Sequence, residues 1–220
     1  MNQRPRLGCL FEIVETLVLT LVIFFVIQNF VAQPYKVEQG SMEHSLEPDQ
    51  YVLVDKLTPR INPYRRGDIV VFTPPAGFSR GGATPFIKRV IAVSGDKVAV
   101  KDGEVYVNGT ALVEPYLFSD APGDPPGPTV ASRECWTVPP NELFLMGDHR
   151  AVSEDSRSFG PVPVSSIIGR AWLRYWPIGV FGILPTPAYP DVPPPPASAS
   201  PSPAQSSSQN SARIAGRSSR

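Results

Sequence analysis

Ser41 is a candidate nucleophile and the first serine of the sequence. Residues 37–46 read VEQGSMEHSL, and Ser41 follows Gly40, which has no side chain and lets another backbone approach closely. A serine hydroxyl becomes a good nucleophile only beside a group that takes its proton. On this segment alone a simple turn is the better interpretation, so a base elsewhere in the chain has to decide.

The two histidines of the chain are the first bases to consider. His44 is only three residues from Ser41, too close in sequence for an easy approach, and His149 lies in the segment 147–150, which reads GDHR. A Ser-His-Asp arrangement through His149 stays open beside the simpler interpretation of a solvated loop histidine. Lysine can do the same work where burial removes its charge.

Residues 86–92, which read FIKRVIA, carry the lysine best placed for that role. Successive side chains of a strand point to opposite faces, so Lys88 and Arg89 lie on different faces and at least one shares an apolar face. Arg89 keeps its proton, and we expect it to reach solvent or a carboxylate. Lys88 can lose its proton and is a candidate base, unless it snorkels to solvent from an edge strand.

The pattern that surrounds these residues predicts a mainly β domain over residues 33–184. Short apolar runs are separated by Gly, Pro, Asn and Asp, and the absence of a long amphipathic helix between them favours antiparallel sheets. Asp102-Gly103 and Asn108-Gly109 predict tight turns. The predicted strands are residues 51–55, 68–72, 86–93, 98–101, 104–107, 135–138, 143–146 and 168–176.

Two segments flank this domain. Residues 10–32 form an apolar run behind Arg4 and Arg6, which predicts a retained transmembrane anchor with residues 1–9 in the cytoplasm and the β domain outside. A buried helix of a soluble protein and a cleaved signal peptide are the alternatives, although no clean small-x-small cleavage site follows the run. Residues 185–220, rich in Pro, Ser and Ala, predict a disordered tail.

The end of the predicted sheet is unusually aromatic. Trp172, Tyr175 and Trp176 precede the apolar residues 177–181. This segment is too short to span a bilayer, and two interpretations stay open for it: packing in the core, or a patch that rests on a membrane surface.

Composition excludes several classes of function. The chain has 20 Lys and Arg against 20 Asp and Glu, without a basic stripe, so nucleic acid is not an expected partner. The two cysteines, Cys9 and Cys135, are too few for a Cys-rich metal site. We expect neither a metal nor a cofactor.

Taken in order, the motifs resemble those of type I signal peptidases, the bacterial leader peptidases of the S26 family. These are membrane-anchored proteases with a Ser-Lys dyad that cleave signal peptides from translocated proteins. The resemblance runs from the apolar segment to about Ile183, and it implies the antiparallel β fold of signal peptidases and LexA-like proteins. The segments that carry it are 40–42 (GSM) with Leu46, 66–72 (RGDIVVF), 86–92 with Gly95 and Asp96, 147–157 (GDHRAVSEDSR) and 159–163 (FGPVP).

The resemblance assigns roles to individual residues. It implies Ser41 as nucleophile and Lys88 as general base. It implies that Ser153 orients the lysine through a hydrogen bond, and that Asp155 and Arg157 form a supporting ion pair. Asp148 is expected to support the same loop.

Two positions depart from the family pattern. Gln39 stands where many members have a serine or another small residue. In the members with serine, its hydroxyl helps the backbone amide of the nucleophile to bind the oxyanion. The oxyanion hole is therefore assigned to the backbone amide of Ser41 with Gln39, whose side-chain amide either donates beside it or points away and leaves the amide of Ser41 alone. His44 stands where the family usually has proline, which loosens that turn but removes no catalytic group.

The resemblance also implies how substrate binds. Family substrates lie extended against sheet edges, and shallow apolar pockets take small side chains at the first and third positions before the cut. The expected partners are the signal peptides of preproteins, the lipid bilayer and, nearby, the protein-export channel. The candidate pocket walls are Tyr35, Val37, Met42, Leu46, Phe86 and Ile87.

Two other functions stay open at this point. One is a catalytically inactive anchored β domain that binds exported peptides, and the other is a specialised peptidase that processes one pilus or conjugation substrate. Because both dyad positions are filled, we expect an active peptidase.

Overall fold

The computed structural model describes residues 6–26, 28, 31–78, 84–121 and 123–195. These residues form two antiparallel β-sheets, an N-terminal helix and short helical turns, which confirms the prediction of a mainly β, antiparallel protein. The helices are α1 (Arg6–Val26) and α2 (Ser156–Phe159), and the strands are β1 (Ala32–Lys36), β2 (Tyr51–Asp55), β3 (Ile69–Phe72), β4 (Phe86–Ala92), β5 (Lys97–Lys101), β6 (Glu104–Val107), β7 (Thr110–Ala111), β8 (Cys135–Thr137), β9 (Glu142–Met146), β10 (Val162–Pro163), β11 (Ile167–Trp176) and β12 (Gly182–Ile183).

Strand β4 is an interior strand of the larger sheet. In the described part of the chain the strand order of this sheet is β1-β2-β11-β3-β4-β9-β10, with β12 beside β11. The smaller sheet has the order β7-β6-β5-β8. Its two tight turns are those predicted, since Asp102-Gly103 and Asn108-Gly109 have positive φ at both residues, as a type I′ turn requires.

Both faces of β4 are covered. Phe86 and Val90, on one face, belong to one apolar cluster, whereas Ile87 and Ile91, on the other face, pack in two further clusters. Burying an aliphatic or aromatic side chain of this kind contributes about 1.5–3 kcal/mol. Since β4 lies between β3 and β9, its lysine is not on an edge strand, and the snorkelling alternative for Lys88 is wrong.

The predicted apolar helix ends earlier than we expected. Helix α1 ends at Val26, and Ala32 already pairs with Asp55 in the larger sheet, so residues 10–32 are not one helix. The last residue of the predicted run, Ala32, is the first residue of strand β1 and pairs with β2. Among the residues that the structure describes, no helix is both long enough and apolar enough to cross a membrane.

The folded part of the chain extends beyond the predicted start of the tail. Val192 is buried in the cluster that contains Trp136, and the carbonyl of Pro193 accepts hydrogen bonds from Arg66 at 3.1 Å and Asn108 at 3.0 Å. The hydroxyls of Tyr189 and Tyr116 lie 2.8 Å apart. A few apolar side chains thus hold residues 185–195 to the domain in spite of their Pro-rich composition, and residues 196–220 lie outside the described residues.

The aromatic end of β11 is exposed. Its apolar side chains form a surface that we call the apolar patch, and four of its members are 50–75% exposed. The alternative of core packing is therefore wrong for these residues. The patch consists of Trp172, Trp176, Ile178, Phe181 and Ile183.

Candidate active site

The turn that carries Ser41 is held by a main-chain hydrogen bond before it and by buried side chains beneath it. It is a 3-10 turn, Gly40–Met42, which follows Val37, and the amide of Val37 donates to the carbonyl of Gln50 at 2.8 Å. Met42 and Leu46 are completely buried in the apolar cluster beneath the larger sheet. These two side chains anchor the turn from below, and their assignment as pocket walls stays a prediction.

Lys88 reaches Ser41 from β4. Its Nζ lies 2.6 Å from Oγ of Ser41, and the two residues are 1% and 4% exposed. The ring of Phe86 lies 5.2 Å from the same nitrogen. A hydroxyl and an amine at this separation are within reach of direct proton transfer.

The surroundings of Lys88 favour its neutral form. Burial lowers the pKa of Lys88 to about 8, and the carboxylates of Asp155, Asp148 and Glu154 oppose that shift. The neutral amine is therefore far more populated near neutral pH than in a lysine of ordinary pKa. A lysine of this kind can serve as a general base.

The loop that follows β9 runs alongside Lys88. Arg89 pairs with Met146 in the sheet register, so the chain leaves β9 beside the lysine. Gly147 begins this loop, and a Cβ at that position would overlap both Oγ of Ser153 and the carbonyl oxygen of Ser41. Only glycine lets the loop approach so closely to the Gly40–Met42 turn, which we call the nucleophile turn.

Asp155 and Arg157 form the predicted ion pair. Nε and Nη2 of Arg157 each lie 2.8 Å from a carboxylate oxygen of Asp155, which also accepts the amide of Gly147 at 3.0 Å. Burial by itself raises the pKa of Asp155, but the hydrogen bonds from Arg157 outweigh it and hold that pKa below its usual value. The ionised carboxylate ties the loop to the end of β9.

Ser153 is near the site but does not make the expected hydrogen bond to Lys88. Its hydroxyl is buried over Gly147 and beside Asp155, whose pKa it helps to lower. Within the described residues Oγ of Ser153 has no hydrogen-bond partner of ordinary geometry, because the lysine points to Ser41 instead. The role that the resemblance implies for Ser153 stays a prediction.

Asp148 pairs with Arg89 below the site. Nε of Arg89 lies 2.8 Å from Oδ1 of Asp148 and Nη2 lies 2.6 Å from Oδ2, with both side chains completely buried. Arg89 thus reaches a carboxylate, as the sequence predicts. Removing one partner of such a buried pair leaves an uncompensated charge, so the pair fixes the start of the loop.

Other charged contacts of the site have no signature in the sequence. Arg150 pairs with Glu114, with Nη1 3.0 Å from Oε2, and its Nε donates to the carbonyl of Gly147 at 3.0 Å. His149 pairs with Glu43. These partners are 36 and 106 residues apart, so no rule of local spacing could have found them.

Two grooves meet at the nucleophile turn. The first is lined by the predicted wall residues Tyr35, Val37, Phe86 and Ile87, together with Gln39. The second contains Ser41, Ser153 and Glu154 and shares Gln39 and Phe86 with the first. Gln39 is exposed at the border between the two grooves. In the described part of the chain, no cluster of His, Cys, Asp and Glu could hold a metal ion.

Comparisons with known proteins identify a family that the chain resembles over most of its length. The family model described as signal peptidase, peptidase S26, matches residues 10–176. The chain is 38% identical over 184 residues to a signal peptidase I of Leptolyngbya laminosa, covering 82% of this chain and 87% of that protein. It is 38% identical over 160 residues to a signal peptidase I of Bacillus caldolyticus, covering 69% and 84%.

A solved structure is also similar. A crystal structure of a signal peptidase I from Enterococcus faecalis is 28% identical, covers 50% of this chain and 97% of that chain, and superposes with a TM-score of 0.39. The family match covers well over half of the chain, and the two relatives extend over most of it. On these grounds the chain belongs to the signal peptidase family, peptidase S26.

Proposed function

We propose that this protein is a membrane-anchored serine endopeptidase that removes signal peptides from exported preproteins, after small-x-small sites, by Ser-Lys dyad chemistry. The observation that carries the proposal is the 2.6 Å separation of Nζ of Lys88 and Oγ of Ser41 inside a buried site. Family membership gives the class of reaction, and the dyad gives the residues that perform it.

The first half of the reaction forms an acyl-enzyme. Neutral Lys88 takes the proton of Ser41 as Oγ attacks the scissile carbonyl, and the resulting oxyanion collapses with cleavage of the peptide bond. The new amino terminus of the mature protein leaves with the proton from Lys88. The signal peptide is then held as an ester on Ser41.

The second half releases the signal peptide. Lys88, neutral again, removes a proton from a water molecule, which attacks the ester carbonyl. Collapse of this second tetrahedral intermediate returns the proton to Ser41. Asp155 and Arg157 take no part in these transfers; they brace the loop beside the lysine, as the ion pair supports.

The oxyanion is stabilised by the amide of Ser41 together with the side-chain amide of Gln39. Gln39 lies two residues before the nucleophile, in extended conformation, and its exposed side chain borders the groove that contains Ser41. A second donor of this kind accounts for about 10²-fold in turnover.

The substrate binds as an added strand. Strand β1 is an edge of the larger sheet, and the first groove runs between its end and the start of β4. Main-chain hydrogen bonds to an edge tolerate many sequences, whereas the apolar walls of Tyr35, Val37 and Ile87 select small side chains.

The protein works at the membrane surface, with its amino terminus in the cytoplasm and the β domain outside, close to the export channel. Helix α1 supports this part of the proposal, because its described apolar side chains are exposed to the surroundings. The apolar patch at the end of β11 supports it as well, since large exposed apolar surfaces mark sites of association. Extraction of membranes with alkaline carbonate tests the anchor: the chain should stay with the lipid, and its release would contradict anchoring.

Cleavage of a defined preprotein tests the function. Full-length protein in detergent micelles is incubated with a preprotein whose signal peptide ends in Ala-x-Ala, and the cut site is read by mass spectrometry. We expect one cut after the second alanine by the wild type and none by Ser41→Ala. A matched substrate with phenylalanine in place of that alanine should resist cleavage, and equal cleavage of both substrates would contradict the proposed specificity.

A further inference from the structure

The nucleophile turn has a second set of contacts that the dyad does not use. Nδ1 of His149 lies 2.7 Å from Oε2 of Glu43, the residue that follows the 3-10 turn. A carboxylate accepts hydrogen bonds and cannot donate them, so Nδ1 carries the hydrogen in this pair. The side chains of His149 and Glu43 are 16% and 26% exposed, so the contact is partly shielded from water.

Phe118 fixes the plane of the imidazole. Its ring stacks on His149 with 3.9 Å between centroids and 23° between planes. The amide of Phe118 donates to the carbonyl of Asp148 at 3.2 Å, so the ring belongs to a segment that is itself tied to the loop. The imidazole is thus held between an aromatic face and a carboxylate.

His149 also contacts Ser41 through its main chain. The amide of His149 donates to the carbonyl of Ser41 at 3.1 Å, which fixes the peptide plane on the C-terminal side of the nucleophile. The amide of Glu43 donates to the carbonyl of Gly40 at 3.1 Å, which fixes the peptide plane on the N-terminal side. That second plane carries the N–H of Ser41, the oxyanion donor of the proposed mechanism.

Both peptide planes around Ser41 therefore depend on Glu43 and His149, and the imidazole joins these two residues. We infer that His149 is a positioning residue that aims the N–H of Ser41 at the oxyanion through Glu43. The inference rests on the proposed roles of Ser41 as nucleophile and oxyanion donor. A misdirected donor weakens binding of the transition state and leaves binding of the ground state nearly unchanged.

Steady-state kinetics on the Ala-x-Ala preprotein test this role. We expect His149→Ala to lower kcat by about 10-fold with KM within about twofold, the signature of an interaction made in the transition state. His149→Asn should restore most of kcat, because an asparagine amide can donate from nearly the position of Nδ1. Glu43→Ala should lower kcat to a similar extent, and the double variant should be no slower than either single one.

His44→Asn is the matched control. His44 follows Glu43 in the chain, but its Nδ1 lies 3.0 Å from the carbonyl of Leu117 and not at that carboxylate, a contact that an asparagine amide can keep. Its φ of 81° is also one that asparagine tolerates. This control should keep the wild-type kcat. An unchanged kcat in His149→Ala, or a loss that His149→Asn does not repair, would overturn the inference.

A parallel assay separates this result from failure of the proposed function. Ser41→Ala is measured beside the histidine variants. If it is inactive while His149→Ala matches the wild type, only the positioning role fails. If it is active, the proposed nucleophile is wrong, and the positioning role fails with it.

Discussion

Oγ of Ser41 and Nζ of Lys88 are 2.6 Å apart although the two residues are 47 positions apart in the chain. The serine stands on a turn after an edge strand, and the lysine stands on a central strand. Their meeting requires the larger sheet to be formed, so an unfolded or partly folded chain has no dyad. The completed site also buries the amine, which is what makes it a base.

Activity should follow the titration of that amine. Because burial lowers the pKa of Lys88 to about 8, the protonated and inactive form dominates below that pH. We expect kcat/KM to rise with pH and to reach half of its plateau near pH 8, measured from pH 6 to 10. A rise centred near the ordinary pKa of histidine, about 6.5, would point to a histidine base instead.

Lys88 is needed for activity but should cost stability at neutral pH. Its folded pKa lies below its unfolded value of about 10.4, so between these two values the unfolded chain binds more protons and the wild type gains stability as pH rises. Below pH 8 the full cost of burying the ammonium is present. Lys88→Met should therefore be more stable than the wild type at pH 6.5, by on the order of 3 kcal/mol.

Urea denaturation at two pH values checks this prediction. The advantage of Lys88→Met should be largest at pH 6.5 and should shrink towards pH 10. A variant that is less stable than the wild type at both values would show that the methionine loses more in packing than it gains in charge.

The buried ion pair of Asp155 and Arg157 should be needed for stability. Asp155→Ala leaves the guanidinium of Arg157 buried without its carboxylate, and we expect a loss of about 3–5 kcal/mol in the free energy of unfolding. Because the pKa of Asp155 is depressed, the contribution of this carboxylate is present at neutral pH and disappears as pH falls towards its folded pKa.

Lys101→Ala is the control for that comparison. Lys101 and Asp102 form an exposed pair at 3.9 Å, and pairs of this kind contribute about 0–1 kcal/mol. Equal losses of unfolding free energy in Asp155→Ala and Lys101→Ala would contradict a special role for the buried ion pair of Asp155 and Arg157.

Gln39 offers a test of the oxyanion hole. Gln39→Ala should lower kcat by about 10²-fold and change KM little, because the side-chain amide is proposed to bind only the charged oxygen. Gln39→Ser should recover part of the loss through its hydroxyl. An unchanged kcat in Gln39→Ala would mean that the backbone amide of Ser41 stabilises the oxyanion without help from Gln39.

Much of the sheet could be predicted because strand alternation and turn residues agree. Strands Tyr51–Asp55 and Glu104–Val107 have the predicted limits, and the Asp102-Gly103 turn that precedes the second of them forces a sharp end. Alternation also showed that a cation of β4 must share an apolar face. It could not show that both faces of β4 are covered, since that depends on segments distant in sequence.

Features that depend on long-range packing were missed or placed incorrectly. The apolar run gives no sign that Ala32 already belongs to a strand, because a helix and a strand are equally compatible with its composition. Met42 and Leu46 are apolar neighbours of the nucleophile, and their complete burial beneath it depends on packing that the sequence does not show. Val192 packs into the core from a Pro-rich segment whose overall composition predicts disorder.

The most direct test of the dyad compares Lys88→Ala with His149→Ala on one preprotein under identical conditions, with the processed product quantified over time. We predict no detectable cleavage by Lys88→Ala, because Ser41 then has no base within reach, and continued although slower cleavage by His149→Ala. Cleavage that survives in Lys88→Ala and disappears in His149→Ala would contradict the account and assign the role of base to the histidine.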